Sequence, residues 1–302
     1  MRIVAALGGN ALLERGERPD AATQQARVGL AAEALAPLAR QHELVLTHGN
    51  GPQVGLLAMQ SAADPQLAGP FPLDVLGAQT QGMIGYWLVQ AVQNACQGRP
   101  VACLLSRTVV SADDPAFGRP TKFIGPVYER GQAEALAAEH GWQVGQDGTA
   151  WRRVVPSPEP AELADLPMIK LLLGGGAIVV CAGGGGVPVI REAGGTLRGA
   201  QAVVDKDLTA ALLAGSVGAD VLLLLTDVDG IQAGYGTPRA RQIRRATPGE
   251  LRSLSFPSGS MGPKVEAVCR FVAATGAMAV IGRLEDAEAM AHGKAGTVVT
   301  PA

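Results

Sequence analysis

Short, nearly unbroken apolar runs recur along the chain at Ile3–Leu7, Leu44–Thr47, Val101–Leu105, Ala177–Cys181, Val221–Leu225 and Ala277–Ile281. Runs this short and this apolar mark strands that are covered on both faces. Between them lie longer stretches with apolar positions at helical spacing, at Gln24–Arg40, Val75–Gln97, Leu208–Gly215 and Val265–Thr275. Strands that alternate with helices predict an α/β fold, a mainly parallel sheet with helices packed on each side. No internal repeat or low-complexity segment interrupts the pattern.

Two stretches depart from it. Leu171 to Ile190 carries no charge and is long enough to span a bilayer. Its two glycine clusters and Pro188 break any continuous helix, so it reads as a helix end, a loop, a buried strand and a second loop. From Asp113 to Pro160 the chain turns rich in Pro, Gly, Arg and aromatic residues, as in DDPAFGRPTKFIGPVYERG. This reads as an excursion from the sheet with a single helix, a lid over an active site or else a solvated flap.

Composition narrows the function. The 302 residues carry a formal net charge of −2, which gives no basic footprint for nucleic acid or an anionic membrane. Cys96, Cys103, Cys181 and Cys269 lie far apart in apolar surroundings, so buried free thiols are expected, and neither zinc nor disulfides. The first apolar run starts at once, with no targeting segment ahead of it, and with the free thiols a cytoplasmic protein is expected.

Three glycine-rich loops follow apolar runs: Gly8-Gly9-Asn10, HGNGPQVG from His48 to Gly55, and AGGGGVPV from Ala182 to Val189. In a parallel sheet such loops gather at the carboxyl edge, where amides can hold an anion. None has the P-loop spacing, and none carries a cation of its own. The lysines supply one. Among 25 basic residues only Lys122, Lys170, Lys206, Lys264 and Lys294 are lysine. Lys206, in VVDKDLTA, and Lys264, in GSMGPKVEA, fall in the predicted first turns of helices, with Asp205 as a cap and Pro263 as a start signal. The helix dipole disfavours a cation there by about 0.3–1 kcal/mol, so an anion site is indicated; the alternative is that both bend into solvent. Lys122 lies on the expected lid, while Lys170 and Lys294 read as surface charges. Asp207 could orient the ammonium groups or serve only as a first-turn acid. Asp227 and Asp229, in LLLLTDVDG, should reach the same edge of the sheet. His48 fits a structural hydrogen bond better than catalysis.

At these residues the chain resembles the carbamate kinases of the amino acid kinase superfamily. LGGNAL, THGNGPQVG, PTKFIGPVY, RRVVPSP, AGGGGVPV, DKDLTA, LTDVDG and GSMGPKV occur in family order from Leu7 to Val265. The resemblance implies a three-layer αβα sandwich around an eight-stranded, mainly parallel sheet. It implies a lobe at 1–195 for carbamate and the phosphoryl group, with the lid at about 113–160, and a nucleotide-binding lobe at 196–302. It further implies a homodimer and reversible phosphoryl transfer between ATP and carbamate with Mg2+, giving ADP and carbamoyl phosphate, used for ATP synthesis in arginine or related catabolism. Carried over residue by residue, the catalytic set is Lys122, Lys206, Asp207 and Lys264. Gly8, Gly9, Asn10, Gly49, Asn50, Gly51 and Arg153 would present donors to carbamate and the moving phosphoryl group, Arg153 alternatively pairing to hold the lid. Thr226, Asp227, Gly259, Met261 and Lys264 would bind the nucleotide, whose phosphates would carry the magnesium, with no metal ligand from the protein. Two positions depart from the family habit: Phe123, where a proline often follows the lid lysine, and Gly234-Tyr235. A superfamily kinase acting on an amino-acid carboxylate and a silent nucleotide or anion sensor are the rival readings.

Overall fold

A computed structural model describes residues 1–13, 17–237, 239–256 and 261–302. Its centre is an eight-stranded sheet whose order is Arg245–Ala246, Thr297–Val299, Met278–Arg283, Val221–Thr226, Arg2–Leu7, Glu43–His48, Ile178–Val180 and Val101–Cys103. Neighbours run parallel except Met278–Arg283 against Thr297–Val299. All six apolar runs become strands of this sheet. Arg245–Ala246 and Thr297–Val299 were not foreseen, because strands of two or three residues leave no periodic signal.

Strand pleating sorts the apolar side chains into two cores. Val4, Ala6, Leu222 and Leu224 face one side, where they meet Ala210, Leu213, Val268 and Phe271 from the helices Lys206–Val217 and Met261–Thr275. Ile3, Ala5, Leu7, Leu223 and Leu225 face the other, against Val28, Leu35, Ile84 and Leu88 of the helices Ala21–Gln41 and Leu73–Ala95. Both faces are thus covered, which makes three layers and explains why the runs lack polar alternation.

Register places the site. Leu7 lies opposite Leu225 on one side and His48 on the other, so the loops after these strands open together. The sheet divides there: the four strands from Arg2–Leu7 to Val101–Cys103 come from the first part of the chain, the other four from the last. Ligands of open α/β sheets bind at such a seam, beyond the carboxyl ends of the strands.

The uncharged stretch at 171–190 becomes the end of the helix Leu166–Gly174, the strand Ile178–Val180, a loop, and then a strand, Val187–Arg191, where a second loop was expected. That strand enters a smaller sheet with Leu197–Gly199, Arg107–Val110 and Glu162–Leu163. No helix among the described residues is long and apolar enough to cross a membrane. Within the predicted lid lie three antiparallel strands, Lys122–Tyr128, Ala150–Val155 and Gln143–Asp147, and one helix, Arg130–His140. Cys96, Cys181 and Cys269 are buried free thiols, but Cys103 is exposed because its strand ends the sheet.

Candidate active site

The helix Lys206–Val217 begins at the cap Asp205, whose Oδ1 accepts from the amides of Asp207 at 2.9 Å and Leu208 at 3.3 Å. This turns the three-residue stretch Asp205-Lys206-Asp207 into a fixed cluster of charge. Asp207 lies almost wholly buried between two ammonium groups, with Oδ1 2.7 Å from Lys206 Nζ and Oδ2 3.0 Å from Lys264 Nζ. Lys264 is the fourth residue of the helix Met261–Thr275, so both cations sit in first turns, as the sequence predicts. Lys122 arrives from the lid and places Nζ 2.5 Å from Asp205 Oδ2. The orienting role read for Asp207 therefore divides in two. Asp207 holds Lys206 and Lys264, and Asp205, read from sequence as a cap alone, holds Lys122 as well. A cap carboxylate needs one oxygen for the helix; the other is free for a distant partner, and no local pattern reveals which.

The electrostatics follow from burial. Burial opposes the charge on Asp207, but the Lys206 and Lys264 ammonium groups and their hydrogen bonds hold its carboxyl well below the usual range. Burial pushes the Lys206 ammonium down, partly offset by Asp207. Lys264 suffers the same burial, yet Asp207 more than offsets it, with Asp205 and Asp227 adding to the upward shift. Asp227 is thus near enough to act on Lys264, and it accepts a hydrogen bond from the Thr226 hydroxyl at 3.1 Å. Asp229 pairs instead with Arg283 at the end of the neighbouring strand. Met261 opens the helix that carries Lys264. Gly259 lies outside the described residues.

The glycine loops correct one expectation. Gly8 donates its amide to the Leu225 carbonyl at 2.9 Å, and Gly49 donates to Leu7 at 3.1 Å. These two amides complete the sheet and are not turned to a ligand. Their need for glycine is steric: a Cβ at Gly8 would lie 2.9 Å from Leu225 O, and one at Gly49 3.2 Å from the Gly9 nitrogen. Gly9 and Asn10 open a 3-10 turn, and Gly51 opens the helix Gly51–Ala63; first-turn amides have no partner within their own helix and suit an anion. The Asn50 side chain donates to Thr80 Oγ1 at 2.8 Å, so its amide is fixed by a residue the sequence reading did not single out.

The loop 182–186 is a buried floor under the other two. A Cβ at Gly183 would collide with His48, and one at Gly184 with the Asn50 amide. Ala182 is the non-glycine residue with positive φ among the described residues, at 53°. It is held in that conformation by the Ser106 hydroxyl on its amide and the Thr47 hydroxyl on its carbonyl. Arg153 stays within the lid, where its guanidinium stacks 4.4 Å from the Trp142 ring, and burial pushes its pKa down to about 10. Neither the three-lysine cluster nor a lid-closing ion pair engages it among the described residues. Lys170 and Lys294 are exposed, as expected.

His48 is fully buried, and its Nδ1–H donates to the Gly49 carbonyl at 2.9 Å. Burial, aided by the Lys206 charge, pushes its pKa down to about 4. The folded group therefore takes up a proton at lower pH than the unfolded one, whose pKa is about 6.5. Its contribution to stability is complete above about pH 6.5 and declines as pH falls toward about 4. At pH 5 the loss relative to pH 7 is expected to be about 2 kcal/mol, and His48→Asn, which keeps a donor but cannot titrate, should lose less between the two pH values in urea unfolding. An unchanged pH dependence in that variant would exclude His48 as its source.

The whole assembly has close counterparts. Residues 1–282 match the amino acid kinase family. The carbamate kinase of Rhizobium meliloti (strain 1021) is 51% identical over 304 residues, covering 99% of this chain and 93% of the relative. That of Escherichia coli (strain K12) is 50% identical, covering 99% of each. The solved structure of Giardia lamblia carbamate kinase bound to AMP-PNP superposes with a TM-score of 0.89 at 38% identity, over 100% of this chain and 98% of that one. The chain belongs to the amino acid kinase family and, within it, to the carbamate kinases.

Proposed function

We propose that this protein transfers the γ-phosphoryl group of ATP reversibly to carbamate, giving ADP and carbamoyl phosphate, and that the cell uses it to make ATP in arginine or related catabolism. The observation that carries this reading is the convergence of Lys122, Lys206 and Lys264 on Asp205 and Asp207 at the carboxyl edge of the sheet. Carbamate is an anion at neutral pH, so its oxygen attacks phosphorus without first losing a proton. As the new P–O bond forms, the bond from phosphorus to the bridging oxygen breaks and its electron pair stays on ADP. Such a step needs positioning and charge neutralisation more than a base. The depressed pKa of His48 leaves it neutral and structural, in keeping with that demand.

In this reading the first part of the chain, residues 1–195, serves carbamate and the phosphoryl group through Gly9, Asn10, Asn50 and Gly51. Gly8 and Gly49 shape the loop. Residues 196–302 serve the nucleotide through Thr226, Asp227, Met261 and Lys264. Lys206 and Lys264 neutralise the phosphoryl oxygens, and Lys122 completes the set from the lid. Mg2+ comes bound to the nucleotide's phosphates. Asp205 and Asp207 already accept from amides and ammonium groups, so they act as counter-ions to lysine, and an ion held by phosphate and water does not call on them. The exposed Cys103 thiol fits the reducing cytoplasm. We assign a homodimer to the open edge of the sheet, where Tyr86 of the helix Leu73–Ala95 and Leu105, just past the edge strand Val101–Cys103, are exposed without a charged neighbour lining the groove between them. Light scattering should give twice the chain mass, and Tyr86→Lys should lower it; a monomeric wild type would remove the assignment.

ATP formation from ADP and carbamoyl phosphate, measured beside acetylglutamate and aspartate kinase assays, tests the activity directly. Turnover in the first assay alone is expected. Lys206→Ala should lower kcat on the order of 10²–10³-fold with the fold intact, by the logic of a lost oxyanion donor. Lys122→Ala should depress kcat more than ADP affinity; equal losses would put Lys122 on the nucleotide instead.

A further inference from the structure

Gly55 ends the HGNGPQVG motif, yet the loop does not use it: it lies buried within the helix Gly51–Ala63. Glycine inside a helix is destabilising relative to alanine, so the position calls for a contact that a methyl group would spoil. That contact is the lid. A Cβ at Gly55 would fall 1.9 Å from Gly125 Cα and 2.2 Å from the Gly125 nitrogen. Both are backbone atoms, so no side chain can swing aside. Gly125 itself has φ +72°, a left-handed conformation, and the pairing of its strand with Ala150–Val155 shifts register between Ile124 and Tyr128. The strand bends at Gly125 and lays its bare backbone on the helix. Around this point Ile124 and Val155 of the lid join Val54 and Ala58 of the helix in one apolar cluster, and the Tyr128 hydroxyl donates to Met59 Sδ at 3.0 Å. Lys122 stands on the same strand, three positions before Gly125, with its ammonium on Asp205.

We propose that Gly55 is a positioning residue for the reaction: its backbone-to-backbone contact with Gly125 fixes how close the lid strand lies to the body, and so where the Lys122 ammonium stands over the phosphoryl site. The proposal rests on Lys122 acting at that site. The helix that bears Gly55 also begins at Asn50-Gly51, so one rigid element spaces the anion-binding amides and the lid cation. Any side chain at Gly55 forces the strand outward, and a misplacement of about 1 Å is enough to cost on the order of 10²-fold in rate.

Steady-state kinetics on the full-length protein, in the direction of ATP formation, test it with Gly55→Ala, Lys122→Ala and the double variant. Gly29→Ala, in a helix where a Cβ meets nothing within 4 Å, is the control and should be silent. Gly55→Ala is expected to lower kcat on the order of 10²-fold with KM for ADP nearly unchanged, and the double variant to be no slower than Lys122→Ala by more than about threefold, because both changes act through one ammonium group. Wild-type turnover in Gly55→Ala, or losses that multiply in the double variant, would overturn the proposal. If Lys122→Ala alone keeps full turnover, the reading of Lys122 falls first; a slow Lys122→Ala beside a normal Gly55→Ala removes only the role given to Gly55. Should Gly55→Ala not fold, Gly125→Ala, whose added Cβ would stand 3.4 Å from Gly55 Cα but strains the left-handed bend that lays the strand on the helix, must show the same kcat-selective loss. Wild-type turnover there would equally overturn the proposal.

Discussion

Two ammonium groups share the two oxygens of one buried carboxylate, Asp207, and the rest of the structure serves to make that arrangement tenable. A buried lysine loses its hydration, and an unpaired one would shed its proton. Asp207 keeps Lys264 charged and offsets much of the burial of Lys206. Breaking one member of such a group leaves an uncompensated charge in a low-dielectric setting, which is why the cluster behaves as a unit. The backbone supports it from behind. Asp205 caps the helix, fixes the direction of the next two side chains, and receives Lys122 on its remaining oxygen. Both first-turn lysines stand against the helix dipole, and acids adjacent in sequence or space offset that cost.

The sheet gives the cluster its address. Because Leu7 is in register with both Leu225 and His48, the loops from the two parts of the chain end at one seam. Under that seam the glycine loop 182–186 brings backbone into contact with His48, Asn50 and Val204, closer than any side chain would permit. Its glycines are needed for that close packing. Where the strand Lys122–Tyr128 crosses the helix Gly51–Ala63, the closest approach is again between two glycines, Gly55 and Gly125.

The architecture was largely legible because strands covered on both faces write themselves as unbroken apolar runs, and the covering helices write a different period. Short strands such as Arg245–Ala246 and Val187–Arg191 were not, since their existence is decided by neighbours distant in sequence. In the site, the scarcity of lysine and its place in helix first turns pointed to Lys206 and Lys264, and the motifs pointed to Lys122. Hidden from the sequence were relations across the fold. Asp205 looked like a cap because capping is local, and its bond to Lys122 spans the chain. Thr80 gave no signal because a threonine inside a helix pattern is ordinary until Asn50 is found against it. Gly8 and Gly49 looked like ligand donors because glycine followed a strand, and only the sheet pairing shows where their amides go. Arg153 carried the right charge on the right subdomain, yet strand alternation turned it to Trp142.

Turnover of Asp207→Asn in ATP formation from ADP and carbamoyl phosphate tests the shared carboxylate most directly. Asparagine keeps the size of the side chain and removes the charge the two lysines share. If Asp207 organises the phosphoryl site, the folded variant should still bind ADP while its kcat falls on the order of 10²-fold or more. A folded Asp207→Asn enzyme with turnover near that of the wild type would contradict the central claim.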